Sequence, residues 1–250
     1  MKHLVYCIRR EPAPAAALLP AGVEGFSVSL MAEGGLAAAY SLVPDQCVTP
    51  TVPRAAAYAR VVEALHQVGP VLPFRYGCFL ECEPDLAELL RARRREFEAS
   101  LAAVEGCVEM GLRVLLESPP GPAGGSPGAA PDAASGRAYL ASRADYYALE
   151  DARSEQAART ADALRRAFQD LFVKAHVEHL GPGAPRPLSL FFLVRKENVG
   201  PFRDRFQQLQ RRRSELMLLT GPWPPYNFAA SAGGEKAGGP QGVPAMDSAP

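Results

Sequence analysis

The chain has 250 residues, 48% of them hydrophobic and 22% charged, with 27 Lys+Arg against 27 Asp+Glu and a formal net charge of zero. That length supports one large domain or two small ones, each with a core of its own. The charge balance disfavours a protein held on nucleic acid by counterion release, or on anionic lipid by a polybasic patch. No run reaches the roughly 18 apolar residues that span a bilayer, and Arg9 and Arg10 interrupt the N-terminal segment too soon for a signal-peptide core. Five cysteines at irregular spacing do not suggest a disulfide framework, so a cytoplasmic protein is expected.

Residues 3 to 9 alternate and predict a first strand, a second short one runs from Phe26 to Leu30, and the nearly all-apolar Leu36 to Val43 predicts a third, covered on both faces. Ala57, Val61, Ala64, Leu65 and Val68 keep helical spacing, and Gly69-Pro70 ends that helix. An extended aromatic stretch follows from Val71 to Leu80, bent by Pro73 and Gly77. A helix then starts near Pro84-Asp85, with a buried stripe of Leu86, Leu89, Leu90, Phe97, Leu101 and Val104. Residues 108 to 116 read as a half-buried strand, with Val108, Met110, Leu112, Val114 and Leu116 inward and Glu109, Gly111 and Arg113 outward.

Between Ser118 and Gly136 the composition turns to Pro, Gly, Ala and Ser, which cannot bury enough apolar surface to offset ordering entropy. The expected division is a domain over 1–117, a linker over 118–137, a second domain over 138–228 and a disordered tail over 229–250. The second half opens with a helical region from about 138 to 180, with a seam through Ala161, Leu164, Phe168, Leu171, Phe172 and Ala175. A strand follows at Leu188 to Val194. Asn198 is placed to cap a helix that turns Val199, Phe202, Phe206 and Leu209 inward, and residues 215 to 219 form a closing strand. Strand-rich halves with few helices indicate an α+β protein.

The chain then enters Thr220-Gly221-Pro222-Trp223-Pro224-Pro225-Tyr226-Asn227-Phe228, which carries the only tryptophan. Three prolines predict a stiff, polyproline-II-like ribbon with Trp223 and Tyr226 on one side. It either staples the chain end onto its own domain or offers a partner surface.

Catalytic signatures are sparse. Neither G-x-G-x-x-G nor G-x-x-x-x-G-K-[ST] occurs, which disfavours nucleotide binding by those routes. His176 and His179 lie three apart on a predicted helix, without a third ligand of matching spacing. Cys78 and Cys82 have no second cysteine pair and read as small core residues, and nothing places His66 beside Cys78 or Cys47 as base and nucleophile. The arginines at 91 and 93–95, and those at 211–213, read as solvated helix faces, the first within reach of Glu88, Glu96 and Glu98.

Five stretches in order resemble the gas vesicle accessory family GvpF/GvpL. They are Leu36 to Ser41, Val71-Leu72-Pro73-Phe74-Arg75-Tyr76-Gly77, Gly136 to Leu140, Leu188 to Val194 and the ribbon at 220–228. One departure is Tyr58, which stands where the family usually has a histidine at the start of the first helix. The resemblance implies an N-terminal α+β half and a ferredoxin-like C-terminal half, closed by the ribbon. It also implies a non-enzymatic role in building gas vesicles, with the hydrophobic shell protein or other accessory proteins as partners, and neither cofactor, nucleic acid nor membrane. The expected location is the gas vesicle in the cytoplasm. On that reading the candidate contact residues are Pro222, Trp223, Pro224, Pro225, Tyr226 and Phe228, with Pro73, Phe74, Arg75 and Tyr76 as a second surface. The alternative is a small-molecule-binding or enzymatic α+β domain, since a fold alone does not fix function.

Overall fold

Strand β1 (Lys2–Arg10) is buried from His3 to Arg9, and the strands around it attach on both sides. In a computed structural model that describes residues 1–12, 19–116, 136–178 and 187–229, β1 pairs antiparallel with β3 (Leu36–Val43) on one edge. Its other edge takes β4 (Val71–Pro73) and β5 (Phe79–Leu80). Strand β2 (Ser29–Glu33) pairs with β3, completing the order β2-β3-β1-β4 with β5 also on β1. A register shift between Val5 and Cys7 puts Tyr6 and Cys7 into the same layer as Leu4. Both faces of β1 are therefore apolar, and helices cover each of them.

On one side lies α1 (Val52–Gln67), whose Tyr58, Val61, Val62 and Leu65 pack on Leu4, Tyr6, Cys7 and Val71. Thr51 caps it, accepting from the Arg54 amide. On the other side the sequence suggests one helix from residue 84 to 105, and the structure has two. Helix α2 (Glu83–Ala92) gives way to α3 (Arg94–Val104) at Arg93, where φ is −108° and ψ is 17°. Neither proline nor glycine causes the break. It lets Leu86 and Leu90 follow β2, β3 and β5 while Phe97, Leu101 and Val104 follow β1 and β4.

A second sheet contains β6 (Cys107–Leu115), β7 (Lys174–Glu178), β8 (Leu188–Arg195) and β9 (Leu216–Trp223) in the order β7-β8-β6-β9, every pair antiparallel. Helices α4 (Gly136–Ala167) and α5 (Val199–Arg212) cover one face, where Leu164, Phe168 and Phe202 meet Met110, Leu112, Leu190 and Phe192. Phe168 and Phe202 stack with centroids 4.2 Å apart. Asn198 sits at the α5 N-cap position without a side-chain cap bond, contrary to expectation.

One further expectation is corrected. The helix predicted to reach residue 180 ends at Ala167, and Lys174–Glu178 is strand β7. The helical seam does enter the core at Leu171, Phe172 and Ala175; the error arose because no Gly or Pro intervenes before Gly181, so the change of period was masked. Strand β6 lies before the expected division at 117/118 and pairs with β8 and β9 beyond it. The Pro/Gly-rich segment thus lies in the chain between strand β6 and helix α4, which packs on the sheet that holds β6. An alternating pattern reports that a strand has two faces and is silent on which sheet receives it.

The first layer depends on Tyr58. Its hydroxyl lies 2.9 Å from the Val5 carbonyl, 3.0 Å from that of Tyr6 and 2.9 Å from that of Phe74. One proton shared among three buried acceptors pins α1 to β1 and to the bend after β4. Its ring also joins a file of aromatics, 4.8 Å from Tyr6 and 5.4 Å from Tyr76. Tyr58→Phe keeps the ring and removes the donor, and is expected to cost about 1–3 kcal/mol in urea unfolding. An unchanged midpoint would contradict this role.

Candidate functional site

The structure brings the two motif stretches singled out from the sequence to one place, the junction of the two sheets. Residues 74–78 bulge out between β4 and β5. The Phe74 amide still donates to the Tyr6 carbonyl at 2.9 Å, and the Cys78 carbonyl accepts from Val5 at 3.0 Å. Gly77, at φ +110°, turns the chain back. Pro73 and Phe74 are buried, Arg75 is exposed, and half-buried Tyr76 donates its hydroxyl to the Cys47 carbonyl at 2.5 Å.

The ribbon departs from its expected form. Gly221, Pro222 and Trp223 belong to β9, an edge strand that tolerates proline, and Trp223 is aligned with Glu109 across an irregularity in the β6 register. Gly221 has φ +102°, and a Cβ there would come within 2.6 Å of the Glu109 carbonyl, so only glycine fits. From Pro224 the chain coils. Tyr226 N donates to Pro224 O at 2.8 Å, while Phe228 N and Ala229 N donate to Pro225 O at 3.2 and 3.0 Å. Strand pairing followed by turns breaks the threefold period, so Trp223 and Tyr226 do not share a face. Trp223 is 48% exposed. Pro224 and Pro225 are buried, Tyr226 packs with the α1 cluster and Phe228 with the α2–α3 cluster. The staple therefore fastens the end of the second sheet onto the first layer, and Ala229, expected in the tail, packs there too.

Glu109 lies beneath this staple. The sequence places it on a solvated strand face, yet it is 4% exposed. Its carboxylate accepts from the Asn227 amide and from Asn227 Nδ2, both at 2.8 Å. Arg75 Nη2 is 3.5 Å from Asn227 Oδ1 and interacts electrostatically with Glu109. Burial raises the Glu109 pKa against the opposing pull of Asn227 and Arg75. Burial likewise raises that of the Tyr226 phenol. Glu109 and Asn227 are 118 positions apart, so no local pattern could have paired them.

The other candidates lie apart from the junction. His176 is on strand β7, exposed and stacked on Phe191 at 6.3 Å, and His179 is outside the described residues. His66 is buried at the C-terminal end of α1 with neither ring nitrogen hydrogen-bonded, whereas Cys47 contacts Glu24, the partner of Arg54 in the first turn of that helix. Burial pushes the Cys7 and Cys78 thiols up to about 12 and about 11, which makes them poor nucleophiles. Among the described residues no group of three His, Cys, Asp or Glu could hold a metal ion, and no helix is long and apolar enough to cross a membrane. Three of the arginines at α2–α3 are paired along the helices: Arg91 with Glu88 at 2.6 Å, Arg93 with Glu96, and Arg94 with Glu98 at 2.8 Å.

Residues 2–230 match the family described as Gas vesicle synthesis protein GvpL/GvpF. The chain belongs to this family. Two crystal structures of gas vesicle protein GvpF have similar folds. The protein from Anabaena shares 15% identity with a TM-score of 0.70, over 92% of this chain and 96% of that one. The protein from Microcystis aeruginosa shares 14% with a TM-score of 0.72, over 92% of this chain and 99% of that one. No curated protein sequence matches. At such identities the likeness concerns the fold, a mixed helix and sheet architecture, and the GvpF/GvpL family assignment rests on the sequence match.

Two titrations test the burial described here. Desolvation beside Lys196 lowers the His66 pKa to about 4, so the unfolded chain takes up a proton first as pH falls from about 6.5. Stability from this site is present above that range and lost down to pH 4, amounting to at most about 3 kcal/mol. His66→Leu is expected to flatten the slope in that window. Glu109 has the opposite sign: its pKa is raised, so its contribution is present at low pH and lost as pH rises through the raised value. Glu109→Gln should therefore gain on the wild type as pH increases, and parallel stability curves would contradict the assignment.

Proposed function

We propose that this GvpF/GvpL chain is a non-enzymatic accessory protein of gas vesicle assembly. In this reading it binds the hydrophobic shell protein, or another accessory protein, while the vesicle nucleates and grows. The observation that carries the reading is the family match across residues 2–230. Physical reasoning adds to it: a shell subunit must be apolar where it faces gas, so before assembly it needs a partner that covers that side. The protein would act at the gas vesicle, in the cytoplasm.

The finer architecture belongs to the same proposal. The order β6-α4-β7-β8-α5-β9, with sheet order β7-β8-β6-β9, supports a ferredoxin-like C-terminal unit. On that pattern it begins near Cys107, and the N-terminal α+β unit ends near Gly106. Within the ribbon, the exposure of Pro222 and Trp223 supports a contact role for those two, as it does for Arg75 in the second stretch. Pro73, Phe74, Pro224, Pro225, Tyr226 and Phe228 turn inward and serve the staple, with Tyr76 held on the Cys47 carbonyl.

Co-sedimentation with purified shell protein tests the function. The folded protein is expected to travel with the shell protein, and to keep it dispersed longer than an unrelated protein of equal size does. Neither capture nor delay would overturn the reading. Half-exposed Trp223 is further expected to emit near the solvent-exposed wavelength and to be quenched by acrylamide in the free protein, with protection appearing once shell protein is added.

A further inference from the structure

The uncovered face of the second sheet has a definite composition. Cross-strand pairing sets Leu115 opposite Leu216, Arg113 opposite Leu218 and Gly111 opposite Thr220, all on the face away from α4 and α5. Residues directly opposite in an antiparallel pair share a face. Nearer the junction, this face is already covered: Glu109 is buried under Asn227, and Leu193 packs with the α2–α3 cluster. Further along it is open. Leu216 is 75% exposed, Leu218 54%, Leu115 49%, and Trp223 at the end of the same strand 48%. Leu115, Leu216 and Leu218 adjoin one another on this face and form one apolar patch rather than scattered exposure, whereas Trp223 stands opposite Glu109 at the junction end, beyond Thr220.

We propose that this stripe is a docking surface for an amphipathic helix of a partner, whose apolar side chains cover Leu115, Leu216 and Leu218 and whose carboxylate meets Arg113. Charge complementarity selects the carboxylate. Arg113 is exposed among the leucines, and among the described residues it has no ion pair, whereas Arg213, just before β9, is neutralised by Glu215 at 3.2 Å. A docked strand is disfavoured because two β9 carbonyls already accept from α5: Gln210 Nε2 reaches Met217 O at 3.4 Å and Arg203 Nη2 reaches Gly221 O at 3.3 Å. A helix instead lies on the face, and needs no backbone partner. Covering the rest of a face that the staple covers in part is the completion that a two-layer sheet lacks.

This inference rests on the shell-binding reading, and purified shell protein is the probe. Wild type, Leu216→Thr/Leu218→Thr, Arg113→Glu and Arg113→Lys are compared by co-sedimentation, with unfolding midpoints showing that each is folded. Threonine suits an exposed strand position, so the double variant is expected to keep its midpoint and lose about tenfold or more in affinity. Arg113→Glu is expected to weaken capture, and Arg113→Lys to retain it. If wild type captures the shell protein and the folded double variant captures it equally well, this surface is overturned while the shell-binding reading stands. If wild type captures nothing, both fall. A wild-type dimer in sedimentation velocity that the double variant abolishes would assign the stripe to self-association and overturn the proposal.

Discussion

Glu109 and Asn227 fix the coil through which the end of the second sheet reaches the first layer, where Tyr226 and Phe228 pack. A carboxylate 4% exposed is costly to desolvate, and two N–H donors from one residue at 2.8 Å offset that cost. The contact requires three things at once. Gly221 must let β9 pass against the Glu109 carbonyl, Pro224 and Pro225 must coil the chain inward, and residues 74–78 must bulge so that Arg75 reaches the same point. Each of these features lies in a stretch that looked unusual in the sequence, and the junction gives them a common physical reason.

The same contact sorts the ribbon's residues by role. Tyr226 and Phe228 go to separate clusters on opposite faces of the first sheet, one with α1 and one with α2–α3. That is how a short segment fastens a layer that is itself covered on both sides. Trp223, one residue before the coil, stays on β9 and remains half exposed. A residue type suited to packing at an interface is thus separated from the packing that its neighbours perform.

Much of the fold was legible where a period persisted. Strand β3, helix α1, strand β8 and helix α5 all follow apolar patterns that change at Gly, Pro or a capping position. The sequence failed where the constraint was distant. Strand β6 alternates cleanly, but its outward Glu109 is buried by residues more than a hundred positions later, and its sheet partners lie beyond the Pro/Gly-rich segment. The change from helix to β7 was hidden because Phe172 and Ala175 face the core in either conformation. Of the candidate site, the two motif stretches were visible and their meeting point was not. The leucine stripe was equally unseen, since Leu216 and Leu218 read as an ordinary closing strand until the sheet order made β9 an open edge.

Native-state hydrogen exchange at the Asn227 backbone amide tests the junction most directly. This amide lies in a turn and donates only to the Glu109 carboxylate, so its protection reports that contact alone. If the junction holds the two sheets together, it exchanges as slowly as the amides of β6 and β8, and Glu109→Ala releases it. Fast exchange in the wild type, at the rate of a solvated loop, would contradict the account.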